Sequence, residues 1–497
     1  MLYQSTRGNN EKVTAAKAIK TGMVPKGGLF VPESIPKLQL ENVLNLSYAQ
    51  TAEKVFELFL SDFSKEEIKE ITSKVYNEKI FGKEEVAPLV GIKNNLSILE
   101  LWHGPTAAFK DMALQMLPHL MKKSLEKLGY DKKLLILAAT SGDTGKAALE
   151  GFKDVEGIKI ICLYPYQRVS KVQELQMTTT EGENTYVIAV KGNFDDCQSK
   201  VKKIFSDEKF KNELLELNTE LSSANSINWG RLLPQIVYYY RSYADLVERN
   251  EIKLGEKINI VVPTGNFGNI LAAWYAGRMG VPINKLICAS NINNILTDFI
   301  NTGKYDTHRE FIETNSPSMD ILVSSNLERF IYEISGRDDK FINEIMSSLQ
   351  DTGSFQMGSR CLEKIQNELY GDYATEEETL DTIKRYFEEY KYLLDTHTAV
   401  GIKVYEKYLA KTKEDNVYTI VDATANPYKF NTSVYEALKG KDALSGKGEF
   451  QLLDELSEYS QMPVHPGLKD LDKKEIRHEK TAGIDELEEI IREILKK

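Results

Sequence analysis

The segment with the clearest chemical potential spans residues 103–111 and reads HGPTAAFKD. A turn at Gly104 and Pro105 leads through a short apolar step to Lys110. The helical pattern that follows places the Lys110 amine at the first turn of a helix, beside unpaired N–H groups and the positive end of the dipole. A positive field disfavours the ammonium form. Lys110 is therefore either a candidate for Schiff-base chemistry or a solvated surface lysine.

A glycine-rich loop lies in residues 261–270, VVPTGNFGNI, between an apolar strand and a helix. Glycines allow the backbone to approach a ligand closely, and a helix N-terminus offers N–H donors to an anion. The loop lacks both GxGxxG and a Gly-Lys-Ser/Thr ending, which excludes a dinucleotide fingerprint and a P-loop. It predicts a phosphate site, the alternative being a tight turn without a ligand.

Three further polar segments are also candidates for binding or catalysis. Residues 138–145, AATSGDTG, offer hydroxyls and a carboxylate after a strand, and residues 222–231, SSANSINWGR, offer two asparagines and an arginine suited to phosphate or carboxylate. Residues 421–430, VDATANPYKF, bring a threonine hydroxyl to a strand end, where it can meet a ring nitrogen. For the first two segments, helix capping is the alternative.

The elements that position these segments form an α/β pattern. Residues 1–95 are predicted to be a mainly helical unit, with helical periodicity over 11–20, 47–60 and 64–79 and a capping box from Ser64 to Glu67. Short apolar runs then alternate with helices and predict strands at 134–139, 158–164, 186–190, 258–262, 285–289 and 417–421. This alternation indicates two adjacent α/β subdomains with mostly parallel sheets and the site between them.

The remaining regions complete the predicted domain organisation. Residues 96–435 form the core, with a helical insertion near 326–393, and residues 436–497 form a C-terminal extension. The amphipathic segment 485–497 is expected to pack on the body of the protein.

Composition excludes several classes of function. With 497 residues and a net charge of −11, the chain is not suited to nucleic acid or an anionic membrane surface as its main partner. The four cysteines form no CxxC pair and the six histidines show no metal-ligand spacing, so no metal site is predicted. The absence of an apolar leader and of membrane-spanning runs indicates a reducing cytoplasm.

Taken together and in this order, the segments resemble the fold-type II pyridoxal-phosphate enzymes, which share the tryptophan synthase β-like fold. More narrowly, YQSTRG and GGLFVPE near the start, followed by HGPTAAFKD, TSGDTG, SANSINWGRLLPQIVYY and PTGNFGNI, resemble the long, bacterial and fungal threonine synthase family. The resemblance extends to about Phe430, and it is poor over about 300–390 and in the C-terminal tail.

The resemblance implies a role for individual residues. Lys110 would be the catalytic residue and would carry pyridoxal 5'-phosphate as a Schiff base, Asp143 would lie near the cofactor's 3-hydroxyl, and Thr424 would face its pyridine nitrogen. The cofactor phosphate would be bound by Gly265, Asn266, Phe267, Gly268 and Asn269, and the substrate by Thr140, Ser141, Thr144, Asn225, Asn228 and Arg231. Residues 395–401, DTHTAVG, resemble a further pocket segment. Asn426 stands where the family often has histidine, so the resemblance gives it no role.

The activity implied by the resemblance is the conversion of O-phospho-L-homoserine and water to L-threonine and phosphate, the last step of threonine biosynthesis. That reaction needs a second anion site for the leaving phosphate, whereas an amino-acid dehydratase needs only the cofactor's. The alternatives are a threonine or serine dehydratase, a threonine synthase-like phospho-lyase, and a non-catalytic binding protein on the same fold. The enzyme is expected to be a monomer or homodimer.

Overall fold

The computed structural model describes residues 1–140 and 142–496, and for Asp195 the backbone alone. The strands are β1 Tyr3–Ser5, β2 Phe30–Pro32, β3 Leu89–Lys93, β4 Leu96–Glu100, β5 Lys133–Ala139, β6 Ile158–Pro165, β7 Thr185–Val190, β8 Thr219–Ser222, β9 Ile258–Pro263, β10 Ile283–Ser290, β11 Lys304–Asp306, β12 Ser354–Gln356, β13 Leu369–Tyr373, β14 Thr419–Ala423 and β15 Thr481–Ala482. All six strands predicted from the apolar runs are confirmed.

Helices cover both sheets and are the main regular elements of the first 80 residues. They are α1 Ala15–Thr21, α2 Tyr48–Phe59, α3 Lys65–Val75, α4 Glu78–Phe81, α5 Asp111–Leu114, α6 Leu117–Lys127, α7 Asp143–Phe152, α8 Lys171–Thr178, α9 Phe194–Ser206, α10 Glu208–Glu216, α11 Trp229–Glu248, α12 Gly268–Met279, α13 Ile295–Thr302, α14 Leu327–Ile334, α15 Asp339–Thr352, α16 Ser359–Glu368, α17 Glu376–Tyr390, α18 Thr396–Thr412, α19 Asn431–Lys439, α20 Glu449–Ser460 and α21 Leu487–Lys496. Over residues 1–140 and 142–496, none of these helices is both long enough and apolar enough to span a membrane.

Two separate sheets confirm the predicted α/β architecture. The larger has the order β13-β10-β9-β14-β4-β3 and is parallel except for the antiparallel pair β3 and β4. The smaller has the order β15-β7-β6-β5-β8 and is parallel throughout. The predicted polar segments follow β5, β8, β9 and β14, at the carboxyl ends of parallel strands, where ligands bind in open α/β sheets.

The N-terminal region is mainly helical, as predicted. Ser64 and Glu67 form the expected capping box at the start of α3, with backbone-to-side-chain distances of 3.2 and 2.7 Å. The extended segment before Glu33 pairs with the start of the chain as the antiparallel ribbon of β1 and β2.

The region 326–393 departs from the prediction of a helical insertion, because it contains two strands. β12 pairs with β11, and β13 adds a parallel edge strand to the larger sheet, with Leu369 opposite Leu286. The β13 sequence, LYGDY, has no continuous apolar run because the strand lies at the edge of the sheet. Pattern analysis therefore could not separate it from the charged helices on either side.

The C-terminal extension packs on the smaller sheet, as expected for its amphipathic end. β15 pairs with β7, and α21 buries Leu487 and Ile491 among apolar side chains of that sheet and its helices. The C-terminal segment also reaches the Lys110 region, because Gln176 of α8 donates hydrogen bonds to the carbonyl oxygens of both Thr106 and Gly467, at 3.3 and 3.2 Å.

The helices α5 and α7 are in close contact near their C-terminal ends, and residues of the predicted site lie at their starts. These two starts carry Lys110 and Asp143, respectively. Within α7, Gly151 lies against the backbone of α5, and a Cβ atom added there would stand 1.9 Å from the Leu114 carbonyl oxygen. Only glycine permits this approach, because a backbone carbonyl cannot move aside as a side chain can.

We therefore expect Gly151→Ala to push α7 away from α5. The overpacking should lower the free energy of unfolding by about 3 kcal/mol and weaken cofactor binding at Lys110. Urea denaturation and equilibrium dialysis measure the two effects. Gly91→Ala is the control, since nothing lies within 4 Å of its added Cβ. Equal stabilities for the two variants would contradict a role for this contact.

Candidate active site

Backbone pairing beyond the strand ends fixes Lys110 beside Thr424. The Phe109 N–H donates to the Thr424 carbonyl oxygen at 2.8 Å, and the Asn426 N–H donates to the Ala107 carbonyl oxygen at 3.0 Å. These bonds extend the pairing of β4 with β14 into the segment that carries the lysine. Lys110 itself caps α5, which agrees with the predicted helix start.

The Lys110 amine faces a buried carboxylate that it shares with a second lysine. Lys110 Nζ lies 3.6 Å from Asp143 Oδ2, and Lys429 Nζ lies 2.9 Å from Asp143 Oδ1. Burial disfavours the charged carboxylate, but the Lys429 and Lys110 ammonium groups outweigh it and hold the pKa of Asp143 well below its usual range. Asp143 is therefore a fixed anion at neutral pH.

Two neutral donors complete the surroundings of Asp143. Gln173 of α8 donates to Oδ1 at 3.0 Å, and the Ser318 hydroxyl donates to Oδ2 at 2.9 Å. The carboxylate is thus oriented by side chains from separate parts of the fold, and it can serve as a rigid reference for the amine beside it.

The surroundings of Lys110 lower its pKa and so ease the loss of its proton. Burial lowers the pKa of Lys110, and the nearby charges of Lys429 and Arg231 lower it further, although Asp143 opposes the shift. A lysine must lose its proton before it can attack a carbonyl group or act as a base. This environment therefore suits the predicted Schiff-base role.

The loop of residues 265–269 presents a row of unpaired N–H groups. Among the described residues, none of its five backbone N–H groups donates a hydrogen bond to a protein acceptor. Phe267 adopts φ +60°, a left-handed conformation that turns the chain into α12. A Cβ added at Gly268 would lie 3.5 Å from Asn326 Nδ2, in ordinary van der Waals contact. This arrangement suits a phosphate at a helix N-terminus.

The Asn269 side chain points away from this role and into a buried network. Its Nδ2 donates to Asp422 Oδ2 at 3.0 Å, and its Oδ1 accepts from the hydroxyls of Tyr238 and Tyr239. The Tyr239 hydroxyl also lies 2.6 Å from Asp422 Oδ2, so its single proton is shared between these two acceptors. Only the backbone N–H of Asn269 is therefore left for the predicted phosphate contact.

Arg231 is a buried cation without an anionic partner. Its side chain is only 4% exposed, its Nη1 donates to the Ala224 carbonyl oxygen at 3.0 Å, and its Nε has no acceptor among the described residues. Burial alone lowers its pKa to about 10. An unpaired buried guanidinium is costly, so this position is prepared for an anionic ligand.

Two of the other predicted substrate-binding residues, Thr140 and Asn228, already use their side chains in hydrogen bonds within the protein. The Thr140 hydroxyl accepts the N–H groups of Gly142 and Gly145, both at 2.9 Å, so only its proton is free to reach a ligand. Asn228 caps α11 with Oδ1 and donates with Nδ2 to two backbone carbonyls.

Three predicted substrate-binding residues remain. Asn225 is exposed and Thr144 is partly buried. Ser141 lies outside the described residues. The substrate contacts assigned to all five of these residues stay predictions.

Several residues of the site were missed by the sequence reasoning. Lys429 lies in the segment quoted for Thr424, where its basic character at a strand end was a usable signal. Gln173 and Ser318 carried no signal, because they occupy a helix face and a loop without a motif.

The segment 316–326 covers the phosphate loop and joins it to the Arg231 region. The Ser324 hydroxyl donates to the Gly265 carbonyl oxygen at 2.8 Å, and the Asn326 N–H donates to the Asn266 carbonyl oxygen at 3.1 Å. Asn326 Nδ2 also donates to the Ser226 hydroxyl at 3.2 Å. This segment precedes α14, in the part of the chain where the family resemblance is poor.

The predicted pocket segment 395–401 also reaches the site. His397 Nε2 accepts the Ser318 N–H at 3.1 Å, and its Nδ1 lies 3.0 Å from Asp395 Oδ1. Because Nε2 is an acceptor here, the ring proton lies on Nδ1 and is donated to Asp395. His397 thereby holds the loop whose Ser318 hydroxyl contacts Asp143.

These groups fit pyridoxal phosphate. The free N–H groups of residues 265–269 match its phosphate, the buried amine of Lys110 matches its aldehyde, and the Thr424 hydroxyl, 6% exposed, offers a neutral partner for its pyridine nitrogen. Asn426, by contrast, caps the turn after β14 by accepting the Tyr428 N–H at 3.0 Å.

We expect Asp422 to make the stability of the cofactor-free protein depend on pH. Burial raises its pKa to about 7, against about 3.9 in an unfolded chain. A carboxyl group with a raised pKa stabilises the fold at pH values below its pKa in the unfolded chain. That contribution is lost as the pH rises to about 7. The urea midpoint of the wild type should therefore fall relative to that of Asp422→Asn from pH 5 to 7. Parallel profiles for the two proteins would refute this.

Comparisons with known proteins support the fit of the site to pyridoxal phosphate. Residues 2–76 match the family model described as threonine synthase N terminus, residues 83–422 match pyridoxal-phosphate dependent enzyme, and residues 398–491 match threonine synthase, C-terminal. Threonine synthase of Saccharomyces cerevisiae is 37% identical over 88% of this chain and 89% of its own. Threonine synthase-like 1 of Homo sapiens is 38% identical over 94% of this chain, which spans only 64% of that relative's length.

Solved structures give the same result at the level of the fold. The structure of PLP-bound threonine synthase from Brucella melitensis matches with a TM-score of 0.88 and 34% identity over the whole of both chains. That of yeast threonine synthase also matches with a TM-score of 0.88 and 34% identity. The cofactor that the site fits is therefore pyridoxal phosphate, and the chain belongs to the threonine synthase family of pyridoxal-phosphate-dependent enzymes.

Proposed function

We propose that the protein is a threonine synthase, which converts O-phospho-L-homoserine and water to L-threonine and phosphate. The proposal rests chiefly on the unpaired guanidinium of Arg231. It is buried, its charge acts on the Lys110 amine, and it belongs to a different segment from the N–H groups of residues 265–269. The site thus offers one anion position for the cofactor and another for a substrate phosphate.

The protein's own groups carry the proton transfers. When bound, pyridoxal phosphate supplies an electron sink for negative charge on the substrate carbons. Lys110, with its lowered pKa, would accept a proton from substrate Cα and then one from Cβ, and it would return one to Cγ after phosphate leaves and one to Cα at the end, while the second proton of the added water goes to phosphate. Asp143 would stabilise the ammonium that Lys110 becomes after it accepts a proton, because its carboxylate lies within 3.6 Å.

Arg231 would bind the phosphate that leaves from Cγ. A guanidinium donates in a fork that matches phosphate oxygens. Its attraction for the leaving group strengthens as that group becomes more negative. Thr140, Ser141 and Thr144 are proposed to help hold the substrate carboxylate or phosphate, with Asn225 and Asn228 beside Arg231. Water would then add at Cβ to complete threonine.

Two other activities make different use of the same site. The similarity to threonine synthase-like 1 of Homo sapiens favours a phospho-lyase as the second candidate, since this relative matches over most of the chain. A threonine or serine dehydratase would leave Arg231 without a ligand. A non-catalytic protein would have no use for the lowered pKa of Lys110.

We further propose that the protein acts in the cytoplasm as a monomer or homodimer. The four cysteines are free thiols, and three of them are buried, which is compatible with a reducing compartment. The net charge of −11 supports the absence of a nucleic-acid partner.

The direct test is to incubate the purified protein with O-phospho-L-homoserine and to measure phosphate, L-threonine and 2-oxobutyrate together. A threonine synthase releases phosphate and threonine in equal amounts. Phosphate with 2-oxobutyrate would identify the phospho-lyase, and a lack of turnover with this substrate alongside activity on serine or threonine would identify a dehydratase.

Lys110→Ala should abolish both turnover and the long-wavelength absorbance of the bound cofactor, because no other group would form the Schiff base. Borohydride reduction of the wild type followed by peptide mapping should place the pyridoxyl group on Lys110. A pyridoxyl group found elsewhere would contradict the assignment.

Arg231→Met should lower kcat/KM for O-phospho-L-homoserine by at least about 100-fold, since a charged contact to phosphate contributes about 3 kcal/mol. The cofactor absorbance should remain. Arg231→Lys, which keeps the charge, should recover part of the loss. If the variant instead released the cofactor and kept its affinity for substrate, the two anion positions would be reversed.

A further inference from the structure

The most unusual feature of the site is a second lysine, Lys429, buried beside the first. Its side chain is fully buried, and its ammonium donates to Asp143 Oδ1 at 2.9 Å and to the Thr106 carbonyl oxygen at 2.9 Å. Thr106 lies four residues before Lys110. Lys429 therefore connects the carboxylate to the segment that carries the reactive amine.

The two lysines occupy different oxygens of one carboxylate at different distances. Lys429 bonds Oδ1 directly, whereas Lys110 stands 3.6 Å from Oδ2, beyond a normal hydrogen bond. Oδ2 instead accepts the Ser318 hydroxyl at 2.9 Å. The carboxylate is therefore held by groups other than Lys110, and the Lys110 amine is left free to react.

The charges around this pair are few. Lys110 is faced by Asp143 from α7, by Lys429 from the turn after β14 and by Arg231 from α11. Asp143 is faced by the two lysines and by His397 from α18. On the other side of Lys429, Asp111 and His465 lie close enough for their pKa values to respond to its charge.

We propose that Lys429 is a positioning residue of the active site: it holds Asp143 by one oxygen, so that the Lys110 amine can give up its proton and bind the cofactor. The inference deepens the proposed function and rests on cofactor binding at Lys110. If Lys429 were absent, Asp143 would have Lys110 as its only lysine partner and would retain it as an ammonium ion.

Lys429 is not placed to carry the cofactor itself. Its ammonium already has two acceptors and no exposed surface, whereas Lys110 retains 11% of its side-chain exposure. Covalent attachment would require Lys429 to abandon both hydrogen bonds.

The test measures how fast the full-length protein, freed of cofactor, captures added pyridoxal phosphate at different pH values. The signal is the long-wavelength absorbance, which does not depend on turnover. In Lys429→Met the pH midpoint of the capture rate should move upward by about one unit or more, because removing a like charge and freeing the carboxylate both favour the Lys110 ammonium. Lys429→Gln, which can still donate to Thr106, should show the same shift.

The matched control is Lys20→Met. Lys20 is equally buried, at 2% exposure, and pairs with the single carboxylate of Glu220 at 2.6 Å, in contact with none of the active-site groups described here. It should leave the midpoint unchanged, and it measures the general cost of deleting a buried lysine. If Lys429→Met fails to fold, Lys429→Gln decides the question.

Three results would overturn the proposal. One is a wild-type midpoint in both Lys429 variants, and another is the same shift in the control. The third is a pyridoxyl group on Lys429 after borohydride reduction. Failure of the proposed function would look different, since a protein that captures cofactor normally but makes no threonine would leave the role of Lys429 intact.

Discussion

The site depends on one buried carboxylate placed between two ammonium groups. Asp143 must remain ionised in a region from which water is excluded, and only the charges of Lys429 and Lys110, with two neutral donors, make this favourable. A buried ion pair that lacks full hydrogen bonding destabilises a fold. Here Lys429, Gln173 and Ser318 hydrogen-bond the carboxylate, so that it stays ionised beside the Lys110 amine.

The fold brings the cluster together from distant parts of the chain. Lys110 follows β4 and Lys429 follows β14, which are neighbours in the larger sheet, while Asp143 follows β5 of the smaller sheet. The helices α5 and α7, which begin next to Lys110 and at Asp143, are in close contact at Gly151. The Ser318 segment then closes the remaining side and is itself held by His397. No local element contains the site, and its geometry is a property of the assembled core.

Much of the fold and of the candidate site could be predicted from the sequence. Continuous apolar runs predicted β5, β6, β7, β9, β10 and β14, because such strands are covered on both faces, but the parallel strands β4 and β8 were missed. The glycine-rich loop after β9 was recognisable from its context. Lys110 and Asp143 were predicted on motifs, and in the structure Lys110 Nζ lies 3.6 Å from Asp143 Oδ2. The edge strand β13 was missed because its sequence is polar. Ser318 was missed because a loop held by long-range hydrogen bonds leaves no local pattern.

Two sets of unpaired donors suit a reaction in which a phosphate group leaves the substrate while the cofactor phosphate stays bound. The buried charge of Arg231 and the N–H groups of residues 265–269 each lack a protein acceptor in the described part of the chain. The most direct test is turnover of O-phospho-L-homoserine in ¹⁸O-labelled water with mass analysis of both products. We expect one labelled oxygen in the threonine side chain and none in phosphate, since the C–O bond at Cγ breaks. Label in phosphate, with homoserine as the co-product, would show P–O cleavage and contradict it.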